Sequence, residues 1–260
     1  MRTLILFISL IVFINTATAE IIAYEGFDYP QGDMLVGKDG GSGWQDVWYT
    51  NTGAGGSITA GLSYTDTNGV QLQVHGGANA TNAAISYYQT LRDTSIEFGA
   101  ADTTIWASLI IQQSSSTTGT NYATMTLGRD YTFGSDAMVA GIGGTLGYPF
   151  ITNFYASSGG IGEPALALGA GESAFIVLRF DFVAEGNDTL NLWFNPNLDE
   201  TLSEPLLSFS GKNYAPVISG LTLAHGDSRS FVYDEIRIGT DFLSVAPSII
   251  FSDGFEENSK

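Results

Sequence analysis

The strongest constraint on the fold is the spacing of apolar residues, which recur at every second position in short runs between clusters of Gly, Asn, Ser and Asp. Val70, Leu72 and Val74 alternate with glutamines, and the same alternation runs through residues 176–183. Side chains two positions apart share one face of a β-strand, whereas a helix would repeat its apolar residues with a longer period. The pattern therefore predicts an all-β chain.

The number of such runs indicates how the strands are arranged. About a dozen strands exceed what one open sheet usually holds, so we expect an antiparallel two-sheet β-sandwich. The further predicted strands lie near residues 21–24, 83–88, 105–111, 122–127, 150–155, 190–194, 221–224 and 231–238.

Residues 1–19 have the organisation of a secretory signal peptide. Arg2 is followed by an apolar run that ends at Ile14, and small residues ending in Ala19 come next. The run of about 11 apolar residues is too short for a transmembrane helix, which needs about 20. We expect cleavage before Glu20 and an exported protein that is secreted, held at the cell surface or periplasmic. The alternative is a buried first strand or an uncleaved anchor.

The rest of the chain is predicted to be one domain without cross-links. No linker rich in Pro or Ser divides it, and residues 20–247 are assigned to a single jelly-roll sandwich. Residues 248–260 are assigned to a C-terminal tail or an edge strand. The absence of Cys excludes disulfides, thiolate metal sites and a thiol nucleophile, so the fold must rest on its apolar core.

The charge of the chain limits its partners. Its formal net charge is −18, and its nine Lys and Arg residues are scattered along the sequence. Nucleic acid is disfavoured because binding to phosphates requires a basic patch. Once the signal peptide is removed, no membrane insertion is expected, whereas neutral glycans and divalent cations suit an acidic surface.

Three segments together resemble a known superfamily. They are YEGFDY at residues 24–29 with GGSGW at residues 40–44, the hairpin from FDF to DTLNLWFNP at residues 180–196, and YDEIRIGT at residues 233–240. They resemble exported bacterial proteins of the concanavalin A-like, laminin-G-like jelly-roll superfamily. This resemblance implies that the first and last strands lie near each other. It leaves function open, because the fold carries lectins, adhesins, glycan-binding modules and glycosidases alike.

No catalytic residue is predicted. The E-x-D-x-(x)-E pattern of related β-glucan hydrolases is absent, and the pairs Asp199-Glu200 and Asp234-Glu235 point to opposite faces of a strand. A retaining glycosidase needs carboxyls about 5 to 5.5 Å apart. The histidines His75 and His225 precede glycines and are interpreted as turn residues. A divergent hydrolase or lyase with carboxylates on different strands stays open.

Aromatic residues are the better candidates for a ligand site. Sugar rings stack on exposed aromatic faces, and Trp44, Trp48 and Tyr49 lie in a polar, Gly-rich context that favours exposure of Trp48 or Tyr49. Trp106 lies in an apolar strand and is expected in the core. The leading hypothesis is a non-catalytic module that binds polysaccharide or cell-surface glycan. The alternatives are the divergent enzyme and a structural surface or matrix spacer.

The alternation of side chains in the last long predicted strand indicates a charged residue on an apolar face. Strict alternation over residues 231–238 places Asp234 on one face with Val232, Ile236 and Ile238. If that face points into the core, the carboxylate of Asp234 needs a partner, because an isolated buried charge is too unfavourable.

We expect a structural calcium ion as that partner. Asp234, Glu25 and backbone carbonyls of residues 40–43 would supply the oxygen ligands that calcium prefers. The resemblance implies the same, because many jelly-roll relatives carry a calcium ion between the first and last strands. The alternative is that Asp234 accepts hydrogen bonds from backbone N–H groups or pairs with Arg237 or Arg179.

Overall fold

The computed structural model describes residues 19–50, 55–81, 87–114, 121–128, 138–144, 148–153, 161–198, 202–212, 218–226 and 230–249. The predicted signal peptide, up to residue 18, lies outside these ranges, as do residues 250–260 of the predicted tail. No helix in the described part is long and apolar enough to span a membrane.

The described ranges contain sixteen strands, one 3-10 turn (Pro164–Leu166) and one short helix, α1 (Phe242–Val245). The strands are β1 (Ile21–Glu25), β2 (Ser57–Ala60), β3 (Gln71–Leu72), β4 (Gly77–Ala80), β5 (Tyr87–Phe98), β6 (Thr103–Gln113), β7 (Asn121–Leu127), β8 (Met138–Gly144), β9 (Tyr148–Asn153), β10 (Ile161–Gly162), β11 (Ser173–Phe182), β12 (Asp188–Phe194), β13 (Leu207–Lys212), β14 (Ile218–Gly226), β15 (Phe231–Gly239) and β16 (Ser248–Ile249).

Two antiparallel sheets form the sandwich. The eight-stranded sheet has the order β13-β12-β11-β6-β15-β4-β2, with β1 also paired to β15, and the six-stranded sheet has the order β10-β9-β8-β7-β14-β5. The predicted all-β, antiparallel two-sheet jelly-roll sandwich is therefore confirmed. Strand β1 pairs with β15 from Ile21 opposite Gly239 to Glu25 opposite Ile236, so the opening and closing segments are neighbours, as the resemblance implies.

The main core lies between the two sheets and follows the alternation of the strands. Along β11, Ile176, Leu178 and Phe180 are buried on the inward face. The inward face of β6 carries Ile105, Ala107, Leu109 and Ile111, and that of β7 carries Ala123, Met125 and Leu127. Each large apolar side chain buried here contributes about 1.5 to 3 kcal/mol to stability.

A second apolar cluster covers part of the outer face of the eight-stranded sheet. Phe175 and Val177 of β11 point outward and pack under residues of the 62–74 segment and under α1. Asp241 caps this helix in a capping box with Ser244, which fixes it over the sheet. On the remaining part of this face, near the ends of β6 and β13, the described residues Thr104, Ser208 and Ser210 are exposed.

A β-bulge in β15 overturns the predicted parity of that strand. The register with β6 shifts between Asp234 and Arg237, and Glu235 has a left-handed φ of 51°. One extra residue in a strand reverses the alternation beyond it. Ile236 and Ile238 therefore face the main core, whereas Asp234 lies on the opposite side of the sheet, where it pairs with Ile110 of the second cluster.

A short strand follows Pro247. Ser248 and Ile249 form β16, which pairs with β3 as a two-stranded sheet. Gln73 donates its backbone N–H to the carbonyl of Pro247. The assignment of residues 248–260 to a tail or an edge strand stays a prediction.

Candidate functional site

The open part of the outer face carries a surface of polar side chains and one tryptophan. Cross-strand partners in an antiparallel sheet point to the same side. The pairings of β6, β11, β12 and β13 therefore set two rows side by side. We call these eight residues the polar face. One row consists of Trp106, Arg179, Asn191 and Ser208, and the other consists of Thr104, Asp181, Thr189 and Ser210.

Asp181 is the centre of a hydrogen-bond network on this face. Arg179 Nε donates to Asp181 Oδ2 at 2.9 Å, and Thr104 Oγ1 donates to Asp181 Oδ1 at 2.9 Å. Asn191 Nδ2 also donates to Asp181 Oδ2, at 3.2 Å. Both carboxylate oxygens are thus engaged, and neighbouring side chains from three strands are held in fixed positions.

Two tryptophans support the guanidinium of Arg179. Its central carbon lies 5.6 Å from the ring centroid of Trp106 and 5.8 Å from that of Trp193. The two indole rings are stacked at 5.5 Å, and Trp193 Nε1 donates to the carbonyl of Ser203 at 2.8 Å. Cation–π contacts of this kind, combined with the ion pair, leave the guanidinium little freedom. The result is a preorganised platform at the solvent-accessible surface.

The polar face lacks a pair of carboxylates. Among the described outward side chains of β6, β11, β12 and β13, Asp181 is the only Asp or Glu. Two carboxyl groups across the scissile bond are the usual requirement for glycoside hydrolysis. The eight residues of the polar face do not supply such a pair.

The three predicted ligand-binding aromatics have different positions. Of Trp48 and Tyr49, one of which is expected to be exposed, Trp48 is fully buried, and its Nε1 donates to Glu25 Oε2 at 2.8 Å. Trp44 is half-buried, and its indole N–H donates to the carbonyl of Tyr24. Tyr49 is half-buried and pairs with Leu91 at the edge of the six-stranded sheet. A glycan contact of Tyr49 stays a prediction.

Glu25 is fully buried and accepts hydrogen bonds from several donors. Arg92 Nη1 lies 2.5 Å from Glu25 Oε2, and Tyr29 donates its hydroxyl to the same oxygen at 3.0 Å. The backbone N–H of Phe27 donates to Oε1 at 2.9 Å. This cluster explains why Trp48 is buried, because its indole N–H completes the set of donors around the carboxylate.

Asp234 lies in a different cluster and accepts two backbone N–H groups. Leu62 N donates to Oδ2 at 2.6 Å and Glu235 N donates to Oδ1 at 2.7 Å, as the alternative reading of the sequence expects. Burial is the main cause that raises the pKa of Asp234 to about 8. The pKa of Glu235 is also raised, chiefly by burial.

The described residues do not fit the predicted calcium site. Glu25 and Asp234 have separate sets of partners, and the space around the Glu25 carboxylate is taken by a guanidinium and N–H and O–H donors. No group of three or more His, Asp or Glu side chains in the described ranges is arranged to hold a metal ion. A structural calcium ion therefore stays a prediction without an assembled set of ligands.

A second buried ion pair lies beside Asp234. Arg237 Nη2 lies 2.5 Å from Glu235 Oε2, although its angle does not suit a hydrogen bond, and it donates to the carbonyl of Gln73 at 2.6 Å. Tyr24 donates its hydroxyl to Glu235 Oε1, which also accepts the backbone N–H of His75. Asp234 and Glu235 are at most 1% exposed, so neither can touch a polysaccharide.

His225 is not the turn residue that the sequence suggests. It lies in β14, fully buried, and its ring stacks on Tyr88 with the centroids 5.2 Å apart. Burial lowers its pKa to about 4. His225 is thus part of the core and is kept neutral there.

Most residues of the polar face were missed in the sequence. The alternation of residues 176–183 does place Arg179 and Asp181 on one polar side, but the register that brings Trp106 beside Arg179 is a long-range property. The prediction that Trp106 lies in the core is wrong, since its ring is only half-buried on the outer face.

The fold is thus an antiparallel two-sheet jelly-roll sandwich with a polar face on the outside of its larger sheet. No protein-family model matches this chain, and no curated protein matches it. The chain is similar to the structure of an endo-beta-1,4-glucuronan lyase from the fungus Trichoderma reesei, with 13% identity, coverage of 88% of this chain and 99% of that one, and a TM-score of 0.49.

Two further solved structures are similar over comparable lengths. A beta-1,3-glucanase from Mycobacterium marinum has 13% identity, coverage of 85% of this chain and 100% of that one, and a TM-score of 0.47. A lectin from Bauhinia forficata in complex with GalNAc has 10% identity, coverage of 85% and 98%, and a TM-score of 0.46. At these identities the likeness assigns neither a ligand nor a reaction to this chain.

Proposed function

We propose that this protein is an exported, non-catalytic module that binds a neutral polysaccharide or surface glycan through the polar face. The observation that carries the proposal is the platform of Arg179 and Trp106, which is fixed by Asp181 and continued by exposed hydroxyl groups. Such a surface offers an apolar ring face and nearby hydrogen-bond partners, which are what a sugar ring requires.

The charge distribution supports a neutral ligand. Arg179 is the one basic side chain among the described residues of the polar face, and Asp181 neutralises it at 2.9 Å. The net charge of −18 repels polyanions at long range. Sugar hydroxyls can exchange hydrogen bonds with Thr104, Thr189 and Ser208, whereas a uronate would meet no free cation on this face.

The preorganisation of the face supports binding affinity. Thr104 and Asn191 already donate to Asp181 in the absence of ligand, so binding a sugar does not have to order these side chains. Side chains that are fixed before binding lose less conformational entropy in the complex. Strands, unlike loops, also keep the spacing between the two rows constant.

Enzymatic activity has weaker support. The carboxylates with raised pKa, Asp234 and Glu235, are fully buried, and the polar face has one carboxylate that is already held by three donors. No observation on the described residues therefore favours a hydrolase or a lyase. Export rests on the signal-peptide pattern of residues 1–19 and is part of the proposal.

A pulldown with a product assay tests this function. The protein, prepared from Glu20 onward, is incubated with insoluble β-1,3-glucan, cellulose and chitin, and both the bound fraction and the reducing sugar released are measured. We expect retention on at least one polysaccharide without release of sugar. Release of reducing sugar would replace the proposal with an enzyme, and neither retention nor release would leave a structural spacer.

A further inference from the structure

A cavity of about 320 Å³ adjoins the polar face at Trp193. It lies where β12 leaves the sheet and where the connection to β13 folds back over the ring of Trp193. Its size is at the lower end of the usual range for small-molecule sites, about 300 to 1,000 Å³. The residues that line it include Thr67, Trp193, Asn195, Asn197, Ser203 and Glu204.

Hydrogen bonds from three directions hold the walls of this cavity. The connection is tied to Trp193 through its indole N–H, which donates to the carbonyl of Ser203. Tyr64 donates its hydroxyl to the carbonyl of Pro196 at 2.7 Å, and Asp66 Oδ2 accepts the backbone N–H of Leu198 at 2.8 Å. The cavity is therefore formed by the fold and does not depend on a ligand.

Two asparagines present amide N–H groups that no described residue accepts. The Oδ1 atom of Asn195 accepts the backbone N–H of Phe175 at 2.8 Å, and that of Asn197 accepts the hydroxyl of Thr67 at 2.6 Å. These bonds fix which way the amides face. Neither Nδ2 group donates to another described residue, so both remain available as donors beside the cavity.

The other lining groups complete a set suited to a sugar. Glu204 is exposed and supplies an acceptor, Ser203 supplies a hydroxyl, and Trp193, which is 5% exposed, forms part of the floor of the cavity. No Lys or Arg is among the described residues that line the cavity. A neutral pyranose matches these donors and acceptors, whereas the carboxylate of a uronic acid would be repelled by Glu204.

We propose that this cavity is a separate subsite that takes one neutral pyranose unit of the glycan bound on the polar face; the inference rests on the proposed function. The exposed residues Ser210 and Ser208 of β13 lead from the face toward Leu206, which lines the cavity. This path is about 14 Å long at roughly 3.4 Å per residue. A single glycan chain can therefore lie along β13 and place one of its sugar units in the cavity.

Titration calorimetry with β-1,3-linked, β-1,4-linked and N-acetylated oligosaccharides, from monosaccharide to hexasaccharide, tests the subsite. Glu204→Gln removes the charged acceptor, and Ser203→Trp fills the cavity while its backbone carbonyl stays available to Trp193. For the oligosaccharide that binds the wild type, we expect affinity to fall about tenfold in Glu204→Gln and further in Ser203→Trp. Glu185→Gln, an exposed glutamate in the β11–β12 turn, is the matched control and should bind as the wild type does.

The outcomes separate the subsite from the proposed function. Ser208→Arg places a long side chain on the polar face and leaves the cavity unchanged. If Ser208→Arg weakens binding but both cavity variants bind normally, with unfolding temperatures equal to that of the wild type, the subsite is refuted and the proposed function stands. If the wild type binds none of these oligosaccharides and none of the insoluble polysaccharides, both fail.

Discussion

Arg92 and Glu25 form a buried ion pair that joins the two sheets of the sandwich. Arg92 Nη1 lies 2.5 Å from Glu25 Oε2, and the side chains are 2% and 1% exposed. Glu25 ends β1 in the larger sheet, whereas Arg92 lies in β5 at the edge of the smaller one. Arg92 also donates to the carbonyls of Gly40 and Asp46, so it fixes the segment that follows β1.

Removing one partner of this pair should destabilise the protein strongly. In Glu25→Ala the guanidinium of Arg92 stays buried without its counter-charge, which typically costs about 3 to 5 kcal/mol. Urea unfolding measures the change. The double variant Glu25→Leu with Arg92→Met removes both charges and should lose less stability than Glu25→Ala. A loss below about 1 kcal/mol in the single variant would show that the pair is not effectively buried.

The stability of the protein should depend on pH through Asp234. Its pKa is about 8 in the folded protein and 3.8 in an ordinary aspartate, so the folded state holds an extra proton between these values. This contribution to the free energy of unfolding therefore falls as the pH rises from about 4 to about 8. The lowered pKa of His225 acts with the opposite sign between about 4 and 6.5.

Comparison with Asp234→Asn isolates this contribution. The variant loses one hydrogen bond, which lowers its free energy of unfolding by about 1 kcal/mol. Its stability should nevertheless increase relative to that of the wild type as the pH is raised. Urea unfolding at several pH values gives both curves. Asp102→Asn, a change at an exposed aspartate, is the control. Parallel curves for wild type and Asp234→Asn would contradict the raised pKa.

The strands that alternate clearly could be predicted from the sequence, whereas β5, which carries a run of buried polar residues, could not. The prediction for residues 105–111 agrees with β6, and that for 122–127 agrees with β7. Most of β5 was missed, because Arg92 and its neighbours do not show an apolar period. Their burial depends on Glu25 and on the 40–50 segment, which are distant in sequence.

The candidate site shows a similar limit. Local alternation does place Arg179 with Asp181, but the β6–β11 register decides that Trp106 lies beside them. Strict alternation places Asp234 on the same face as Ile236, but the bulge at Glu235 puts the two residues on opposite faces. The apolar pattern of the sequence does not reveal one inserted residue. The polar sequence around Trp48 favours exposure. In the structure Trp48 is buried, because its indole N–H donates to the buried carboxylate of Glu25.

Releasing Arg179 should change the charge preference of the polar face. Asp181→Asn removes the neutralising carboxylate but can still accept one hydrogen bond from Thr104 or Arg179. We expect weak binding of anionic polysaccharides such as alginate to appear, a few-fold above the wild type and suppressed by salt. Affinity electrophoresis in alginate gels compares the two proteins. An unchanged mobility at low salt would show that Arg179 does not face the ligand.

Export predicts a defined N-terminus. Glu20 donates its backbone N–H to Thr240 Oγ1 at 3.1 Å, and Thr240 donates its own N–H back to the carbonyl of Glu20. Cleavage before Glu20 would leave these contacts and β1 intact. When the chain is expressed with its own leader in a bacterial host, the exported material should begin at Glu20. Sequencing of an N-terminus that retains residues 1–19 would contradict the prediction.

The most direct measurement of glycan binding through the polar face is a depletion isotherm on the polysaccharide that retains the wild type. Ser208 is exposed on β13 opposite Asn191, so Ser208→Arg places a long side chain across the face without entering the core. Gln71→Arg, at an exposed position on β3, is the control. We predict that Ser208→Arg lowers affinity at least tenfold at an unchanged unfolding temperature, whereas Gln71→Arg binds as the wild type does. Equal isotherms for all three proteins would contradict binding through this face.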